Sequence, residues 1–315
     1  MITLSPANAT PATAVWIDLF NPDEADKTLA EQGFGLDLPS RGDLEEIESS
    51  SRHYTEDGRI YLSTPFMTRD ADGEETVITP IGFILERHRL VTQRFGHANL
   101  FWRLAEGLDK RTGVDGVEAF CYLTEAIVDH QADQLESIAN ALETISRNIF
   151  RVKAKKKIPG DADAADDLKN TLAEVGRLGA RIGQIRSSLL GMGRILPYVS
   201  ETARDWLSAD QLGRISVARQ DLVSLADYES HLANKVQFLL DAVLGFISIE
   251  QNEVVKVLTI VSVIGVPPVL IAGIYGMNFK VMPELEWAYG YPMAIFLMVV
   301  TTLAPLIWFR LRRWF

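Results

Sequence analysis

The residues best suited to chemistry in this sequence are Gly276-Met277-Asn278, which stand at the end of a long apolar stretch. An asparagine amide oxygen can bind a cation without contributing a full charge, and a glycine lets the backbone turn sharply where a helix ends. Glu284 and Glu286 follow shortly afterwards and would concentrate cations nearby. Such oxygen-bearing side chains suit the binding of a cation, and a helix C-cap is the simpler interpretation of Asn278 taken alone.

No arrangement typical of an enzyme accompanies this site. The five histidines are scattered, and no two of them have the spacing of a helical metal motif. Cys121 is the only cysteine, which excludes an intrachain disulfide and a cysteine-based zinc or iron–sulfur site. Gly33-Phe34-Gly35 is too short for a dinucleotide fingerprint, and no Walker-type phosphate loop occurs. We therefore expect neither enzymatic activity nor a bound cofactor, and any transport would be driven by gradients.

The charge of the chain also excludes some partners. A formal net charge of −11 argues against nucleic-acid binding, which needs a basic face to displace counterions from phosphates. The small, polar segment Met1–Pro11 contains no basic region followed by an apolar stretch, so it does not predict a cleaved secretory signal. A single cysteine agrees with a soluble part in a reducing compartment.

Two long uncharged stretches stand at the C-terminal end of the sequence. Val257–Phe279 and Trp287–Phe309 each contain 23 residues, which as helices would reach about 34 Å and would cross a hydrocarbon core of about 30 Å. A buried core helix is the alternative, but two such stretches separated by only seven residues favour membrane spans. We expect transmembrane helices over about residues 257–278 and 288–309.

The residues that flank these stretches predict their orientation. Lys256 directly precedes the first span, and Arg310, Arg312 and Arg313 follow the second. By the positive-inside rule, both termini are cytoplasmic and the short connection faces outside. The predicted location is the inner membrane, with the chain crossing it twice.

The first span contains two adjacent prolines, Pro267 and Pro268, shortly after Gly265. Proline removes backbone donors, so the freed carbonyls need partners from neighbouring helices or water. The two prolines can be interpreted simply as a tolerated kink in the helix. Because they stand above a long helix, we favour a packed or water-lined interface between copies of the chain.

Residues 1–116 predict a cytosolic α/β domain with short β-rich segments broken by turn residues. Helices are expected after Asn21-Pro22-Asp23 and over Asp43–Ser50, and Arg69–Glu75 is expected to be an exposed acidic hairpin loop. The predicted strands are Ala14–Leu19, Arg59–Met67, Val77–Leu85 and Arg89–Thr92.

Residues 117–255 predict a helical cytosolic region, followed by the membrane region at 256–315. Apolar residues at helical spacing indicate helices over about Ala119–Val152 and Asp166–Leu196. The charged segments between these two helices are expected to be exposed helix ends.

A third, much longer helix is expected from about Leu212 to Tyr275. No proline stands between Pro197 and Pro267, and apolar residues recur every three or four positions, with Glu229 as the main interruption. Such a stalk would be about 95 Å long and is expected to associate with copies of itself.

With its signature motif and these helices, the sequence resembles the CorA family of magnesium transporters. The Gly-Met-Asn tripeptide after a penultimate membrane helix is the family signature, and Met282-Pro283-Glu284-Leu285 resembles the loop of its central branch. The resemblance extends along the chain and implies a homopentamer, with a funnel of α/β domains, stalk helices that continue as the pore wall, and outer helices. The further similar segments are Trp16-Ile17-Asp18-Leu19, Gly245–Asn252 and Tyr289-Gly290-Tyr291-Pro292.

The resemblance also implies roles for individual residues. Gly276, Met277 and Asn278 would form the selectivity filter, in which five Asn278 side chains make a ring, with Glu284 and Glu286 at the outer mouth. Val269 departs from the family pattern, which often has a threonine there, so one polar ring is expected to be absent. The residues expected to line the pore are Asn252, Val255, Leu258, Ser262, Val266, Val269 and Gly273, with Leu258 and Val266 as apolar constrictions.

The activity implied is uptake of Mg²⁺, with Co²⁺ and Ni²⁺ as secondary substrates, driven by membrane potential. Family gating suggests that intracellular Mg²⁺ binds between cytosolic domains, and Asp241 matches a stalk carboxylate used for this in some members. The closest alternative is a zinc transporter of the related ZntB branch, with possible proton coupling, although the Met282–Leu285 loop favours the magnesium branch. A membrane-anchored scaffold or sensor is the alternative from another class, but it leaves Gly276-Met277-Asn278 and the two prolines unexplained.

Overall fold

The computed structural model of the chain describes residues 1–7, 9–10, 13–46, 48–69, 76–111, 113–152, 162–278, 282–283 and 286–312. The chain divides into two compact units. The first comprises Met1–Asn148 and Ala173–Leu240, and the second comprises Ile149–Leu172 and Asp241–Phe315.

The first unit contains a six-stranded mixed sheet. Its strand order is β1-β2-β6-β5-β4-β3, in which β2 and β6 are parallel and all other neighbours are antiparallel. The four predicted strands are confirmed as β2, β4, β5 and β6, whereas β1 and β3 were not predicted. The strands are β1 (Ile2–Ser5), β2 (Trp16–Phe20), β3 (His53–Glu56), β4 (Arg59–Arg69), β5 (Thr76–Leu85) and β6 (Leu90–Arg94).

Three short helices lie between β2 and β3, and a fourth follows β6. They are α1 (Glu24–Phe34), α2 (Arg41–Glu45), α3 (Ser49–Arg52) and α4 (Asn99–Asp109). The predicted helix start before α1 is confirmed, because the Asp23 side chain accepts a hydrogen bond from the Asp26 backbone N–H.

One predicted helix, Asp43–Ser50, is wrong in its extent. Helix α2 begins at a capping box formed by Ser40 and Asp43, and it ends where Glu46 takes an extended conformation with ψ of 142°. Helix α3 then forms separately. The predicted acidic loop after Arg69 lies outside the described residues.

Three long helices follow, namely α5 (Gly116–Val152), α6 (Ala162–Thr202) and α7 (Ala209–Tyr275). The predicted end of α6 at Leu196 is wrong, because the helix continues through Pro197. Leu196 and Val199 are fully buried, and the Ser200 hydroxyl donates to the Leu196 carbonyl at 2.8 Å. This packing outweighs the single backbone hydrogen bond that proline removes.

Helix α5 packs its apolar face into the core of the first unit. Phe120 lies edge-on to Phe83 of β5, with ring centroids 6.3 Å apart. Cys121 is buried beside it, and burial raises the pKa of its thiol to about 12. The predicted helical region is therefore anchored directly on the sheet.

The second unit contains the end of α7 and the last helix, α8 (Gly290–Leu311). Both helices are long and apolar enough to cross a membrane. Only 6% of the apolar window of α7 and 11% of that of α8 are buried, which is unlike the core helix of a soluble protein. The two predicted apolar helices at the C-terminal end are thus present, the first as the end of α7 at Tyr275 and the second as α8.

Candidate ion pathway along α7

Helix α7 joins the predicted stalk to the first predicted span as one element of 67 residues. Its first part buries a stripe of apolar side chains within the first unit. Together with the half-buried Leu225 and the buried Glu229, these residues recur every three or four positions, as a helix packed along one face requires. The buried members are Ile215, Ala218, Leu222, Leu232, Val236 and Leu239.

Arg214 attaches the start of α7 to α5. Its Nε and Nη2 atoms donate to the two carboxylate oxygens of Glu125 at 2.6 and 2.8 Å, and Nη1 donates to Glu118 at 2.5 Å. The guanidinium also lies 4.4 Å from the ring centroid of Tyr122. Because the two carboxylates favour the charged form, the pKa of Arg214 is raised above its usual value. This contact fixes α7 at its base.

Glu229 lies within the buried stripe of α7 and is only 3% exposed. Its carboxylate is 4.0 Å from Nη1 of Arg186 on α6, at the limit of an ion pair. Burial raises the pKa of Glu229, and the nearby Arg186 only partly opposes this. What looked like an interruption of the stripe is therefore a buried, weakly paired carboxyl group.

Between Lys256 and Tyr275, the covered residues of α7 all fall on one face. At about 100° per residue they lie within roughly a third of the helix circumference. Ile260 is the most buried, at 7% exposure. The partly covered positions are Lys256, Ile264, Pro267, Pro268, Ile271 and Tyr275.

The seven residues expected to line a pore are all exposed in the single chain. Six of them, from Val255 to Gly273, lie on the side of the helix opposite to the covered face, and Asn252 lies at the edge of that group. Val266 is 60% exposed and Val269 is 71% exposed. The helix therefore presents this stripe away from everything that packs against it within one chain.

Pro267 and Pro268 lie inside α7 and do not end it. Since neither has a backbone N–H, the carbonyls of Val263 and Ile264 lack the donors that an ordinary helix would provide four residues later. Both carbonyls need another partner, which in a membrane comes from a neighbouring helix or from water.

The signature residues follow the last turn of α7. The Gly276 N–H donates to the Ala272 carbonyl at 2.9 Å, and the Met277 N–H donates to that of Ile274 at 3.3 Å. A Cβ on Gly276 would lie 3.0 Å from the Ala272 oxygen, so glycine allows this turn to close tightly. Met277 and Asn278 are exposed beyond it.

The remaining predicted site residues are Asp241, Glu284 and Glu286. Asp241 is exposed on α7, before the apolar segment, and Glu286 is exposed before α8. Glu284 lies outside the described residues. Within the part of the chain that the structure describes, no group of three or more His, Cys, Asp or Glu side chains could hold a metal ion.

Helix α8 also has one covered face. Gly290, Ala294 and Phe309 are buried, and the partly covered Met298 and Pro305 fall between them at helical spacing. The rest of its apolar surface is exposed, as expected for contact with lipid or with other copies.

Comparison with known proteins gives a consistent result along the chain. The family model described as CorA-like Mg²⁺ transporter protein matches residues 11–313. The magnesium transport protein CorA of Escherichia coli strain K12 is 34% identical over 303 residues, which make up 96% of this chain and 92% of that protein.

Solved structures share the fold. The complete structure of the CorA magnesium transporter from Methanocaldococcus jannaschii matches this chain with a TM-score of 0.70 at 17% sequence identity. The match covers 94% of this chain and 89% of the chain in that structure. The crystal structure of the ZntB cytoplasmic domain from Vibrio parahaemolyticus RIMD 2210633 matches this chain with a TM-score of 0.50 at 12% sequence identity. The match covers 73% of this chain and 86% of the chain in that structure. At these identities the structural likeness concerns the fold alone.

Proposed function

The chain belongs to the CorA family of Mg²⁺ transporters, and we propose that it carries Mg²⁺ passively across the inner membrane through a pore lined by α7. The observation that carries this proposal is the position of the stripe from Val255 to Gly273. It lies opposite the face of α7 that the chain itself covers, and it leads to the exposed Asn278. A helix that lines a pore must keep one face free of its own chain in this way.

The proposed assembly is a homopentamer in which five copies of α7 surround the pore. Five Asn278 amide oxygens then form a ring at the outer end. Mg²⁺ gives up its water reluctantly, so such a ring binds the hydrated ion through its water molecules. Neutral oxygens hold the ion strongly enough to select it and weakly enough to release it.

Below that ring, the proposed pore is mostly apolar. Leu258 and Val266 form constrictions that stop ions when the pore dries. Because Val269 contributes no hydroxyl group, selectivity depends more heavily on the Asn278 ring than it would with a threonine at that position.

The direction of transport follows from the proposed orientation. Lys256, Arg310 and Arg312 flank the apolar segments, and by the positive-inside rule they support the proposal that both termini face the cytoplasm. A divalent cation gains about 4.6 kcal/mol per 100 mV on moving inwards, at about 2.3 kcal/mol per elementary charge. Membrane potential alone can therefore drive uptake.

We also propose that intracellular Mg²⁺ closes the pore by binding at Asp241 between neighbouring copies. Its exposure on α7 leaves it accessible to a second copy. The Asp241→Asn variant should lose inhibition of flux by internal Mg²⁺, whereas Asp227→Asn, an exposed carboxylate earlier on α7, should retain it. Undiminished inhibition in Asp241→Asn would reject this assignment.

Flux into liposomes tests the main proposal. Full-length protein is reconstituted with an internal Mg²⁺ indicator, and a membrane potential is imposed. We expect rapid Mg²⁺ entry that Asn278→Ala abolishes, while Asn140→Ala, an exposed asparagine on α5, leaves entry unchanged. Absence of influx, or influx that is undisturbed by Asn278→Ala, would contradict a channel and favour a scaffold or sensor.

The same liposomes separate the two transporter branches. Co²⁺ and Ni²⁺ should enter as secondary substrates, and Mg²⁺ entry should not require a pH gradient. Transport of Zn²⁺ in preference to Mg²⁺, dependent on a proton gradient, would instead assign the chain to the zinc branch.

A further inference from the structure

An open groove of about 710 Å³ lies in the first unit. Its walls come from the end of β4, from α4, from α5 and from α6. This volume lies within the range of sites that bind small molecules. The groove is separate from α7 and has no part in the proposed ion pathway, so we name it the α4–α5 groove.

The α4–α5 groove concentrates positive charge on a chain whose net charge is −11. Four of its described lining residues are arginines, and two, Asp129 and Asp133, are carboxylates. In the described part of the chain, none of these arginines forms a salt bridge with a carboxylate within 4.0 Å. The arginines are Arg69, Arg103, Arg111 and Arg181. Unneutralised guanidinium groups repel a free metal cation and attract an anion.

Several of these groups are held in position before any ligand arrives. The guanidinium of Arg111 lies 3.9 Å from the ring centroid of Tyr122. Nη2 of Arg181 donates to the Gln134 side chain at 2.8 Å, while its buried Nε contacts no described acceptor. The backbone of Arg69 pairs with that of His97 through two hydrogen bonds of 2.9 and 3.0 Å, which fixes the point where its exposed side chain leaves the strand. Preorganised donors reduce the entropic cost of binding.

The chemistry of the donors indicates the class of anion. Guanidinium groups match phosphate oxygens in a bidentate geometry, and several such groups in one groove suit an anion that carries more than one charge. His130, half-buried in the same wall, has its pKa lowered by burial, so it offers an uncharged ring nitrogen there.

We propose that the α4–α5 groove binds a small molecule that carries a di- or triphosphate group. Arg103 and Arg181 contact the phosphate oxygens from opposite walls, and the carboxylate of Asp133 opposes binding of the bare anion. This site is independent of the proposed transport, because its ligand and its residues differ from those of the pore.

Calorimetry on the purified full-length protein in detergent tests the proposal, with inorganic pyrophosphate and ATP as probes in buffer without divalent cations. We expect saturable binding that Arg103→Gln and Arg181→Gln each weaken about tenfold or more, since each loses a charge-assisted hydrogen bond. Asp133→Asn should have the opposite effect and tighten binding. Arg87→Gln, an exposed cation in the turn before β6, should leave binding unchanged.

Thermal unfolding of each variant shows whether the fold is retained, and citrate serves as a polyanion without phosphate. No saturable binding of either probe to the folded protein would overturn the proposal. Equal losses in Arg103→Gln and Arg87→Gln would also overturn it, because they would indicate a nonspecific charge effect. Citrate binding as tight as that of pyrophosphate would overturn the assignment to phosphate.

Discussion

Arg214 on α7 and Glu125 on α5, which are 89 residues apart in the sequence, form a bidentate ion pair of 2.6 and 2.8 Å. The Arg214 side chain is 20% exposed, and that of Glu125 is 40% exposed. A bidentate pair of this geometry is stronger and more specific than an ordinary surface pair. It joins the base of the stalk helix to the helix that packs on the sheet.

Replacement of Arg214 should destabilise the first unit. Arg214→Met leaves Glu118 and Glu125 without their shared partner, and we expect a loss of about 2 kcal/mol in the free energy of unfolding, reduced from the fully buried case by solvent screening. Denaturant unfolding followed by tryptophan fluorescence measures this loss. Lys235→Met is the matched control, because Lys235 pairs with Glu143 between the same two helices through a single described hydrogen bond, and the Glu143 side chain is 50% exposed. That variant should lose clearly less stability than Arg214→Met. Equal losses would show that the bidentate pair contributes no more than the single one.

Glu229 should make stability depend on pH. Its folded-state pKa is raised above the ordinary value of 4.5, so the folded chain binds this proton more tightly than the unfolded chain does. The stabilisation is complete below the ordinary pKa and is lost as the pH rises through the raised folded value. We therefore expect Glu229→Gln to be more stable than the wild type near neutral pH and less dependent on pH above 4.5. Thermal unfolding over a pH series measures this, and Glu136→Gln, an exposed carboxyl on α5, should leave the profile as it was.

Gly191 on α6 should tolerate no side chain. A Cβ at this position would overlap the hydroxyl group of Thr64 on β4. We expect Gly191→Ala to lower the free energy of unfolding by about 1–3 kcal/mol, as overpacking does. Gly193→Ala is the control two residues later, where no described atom outside its own helix lies within 4 Å. It should raise stability by up to about 1 kcal/mol through helix propensity, and a neutral Gly191→Ala would contradict the close packing of α6 on the sheet.

A polar substitution in the proposed constriction should open the pore. Val266→Ser introduces a hydroxyl group on the stripe that faces away from the chain, so water should remain there and Mg²⁺ flux into liposomes should rise several-fold at high internal Mg²⁺. Val257→Ser places the same change on the opposite side of α7. Flux should stay at the wild-type level in that variant. Similar effects at both positions would refute the assignment of the stripe.

The sequence predicted the long elements well because their signal is local. A helical period repeated over many turns identifies α5 and α7, and uncharged stretches identify the two apolar helices. The short strands β1 and β3 were not predicted, because a few residues give too little alternation of apolar and polar side chains to be recognised. Strand β3 is only four residues long, and β1 takes its place in the sheet by pairing with β2. Other element boundaries depend on tertiary contacts, which a local pattern does not contain. Helix α6, for example, continues past Pro197 because the residues around it are buried.

The candidate sites divide in the same way. Gly276-Met277-Asn278 and the stripe along α7 could be proposed from the resemblance to the family, because each lies within a continuous segment of sequence. The Arg214 pair and the α4–α5 groove could not, because their residues are far apart in the chain and meet only through the fold. Glu229 was visible as an interruption of a pattern, but its burial beside Arg186 depends on how α6 packs against α7.

The burial of Cys121 has a practical consequence for spectroscopy. Thiol-reactive labels attack the thiolate, and a thiol that is 2% exposed with a pKa of about 12 offers almost none. The wild-type protein should therefore react very little with such labels, and it can serve as the control that measures background labelling. A cysteine introduced at Asn252 or Val255 could carry a spin label or fluorophore without removal of the native one, and distances between copies could be followed as internal Mg²⁺ changes.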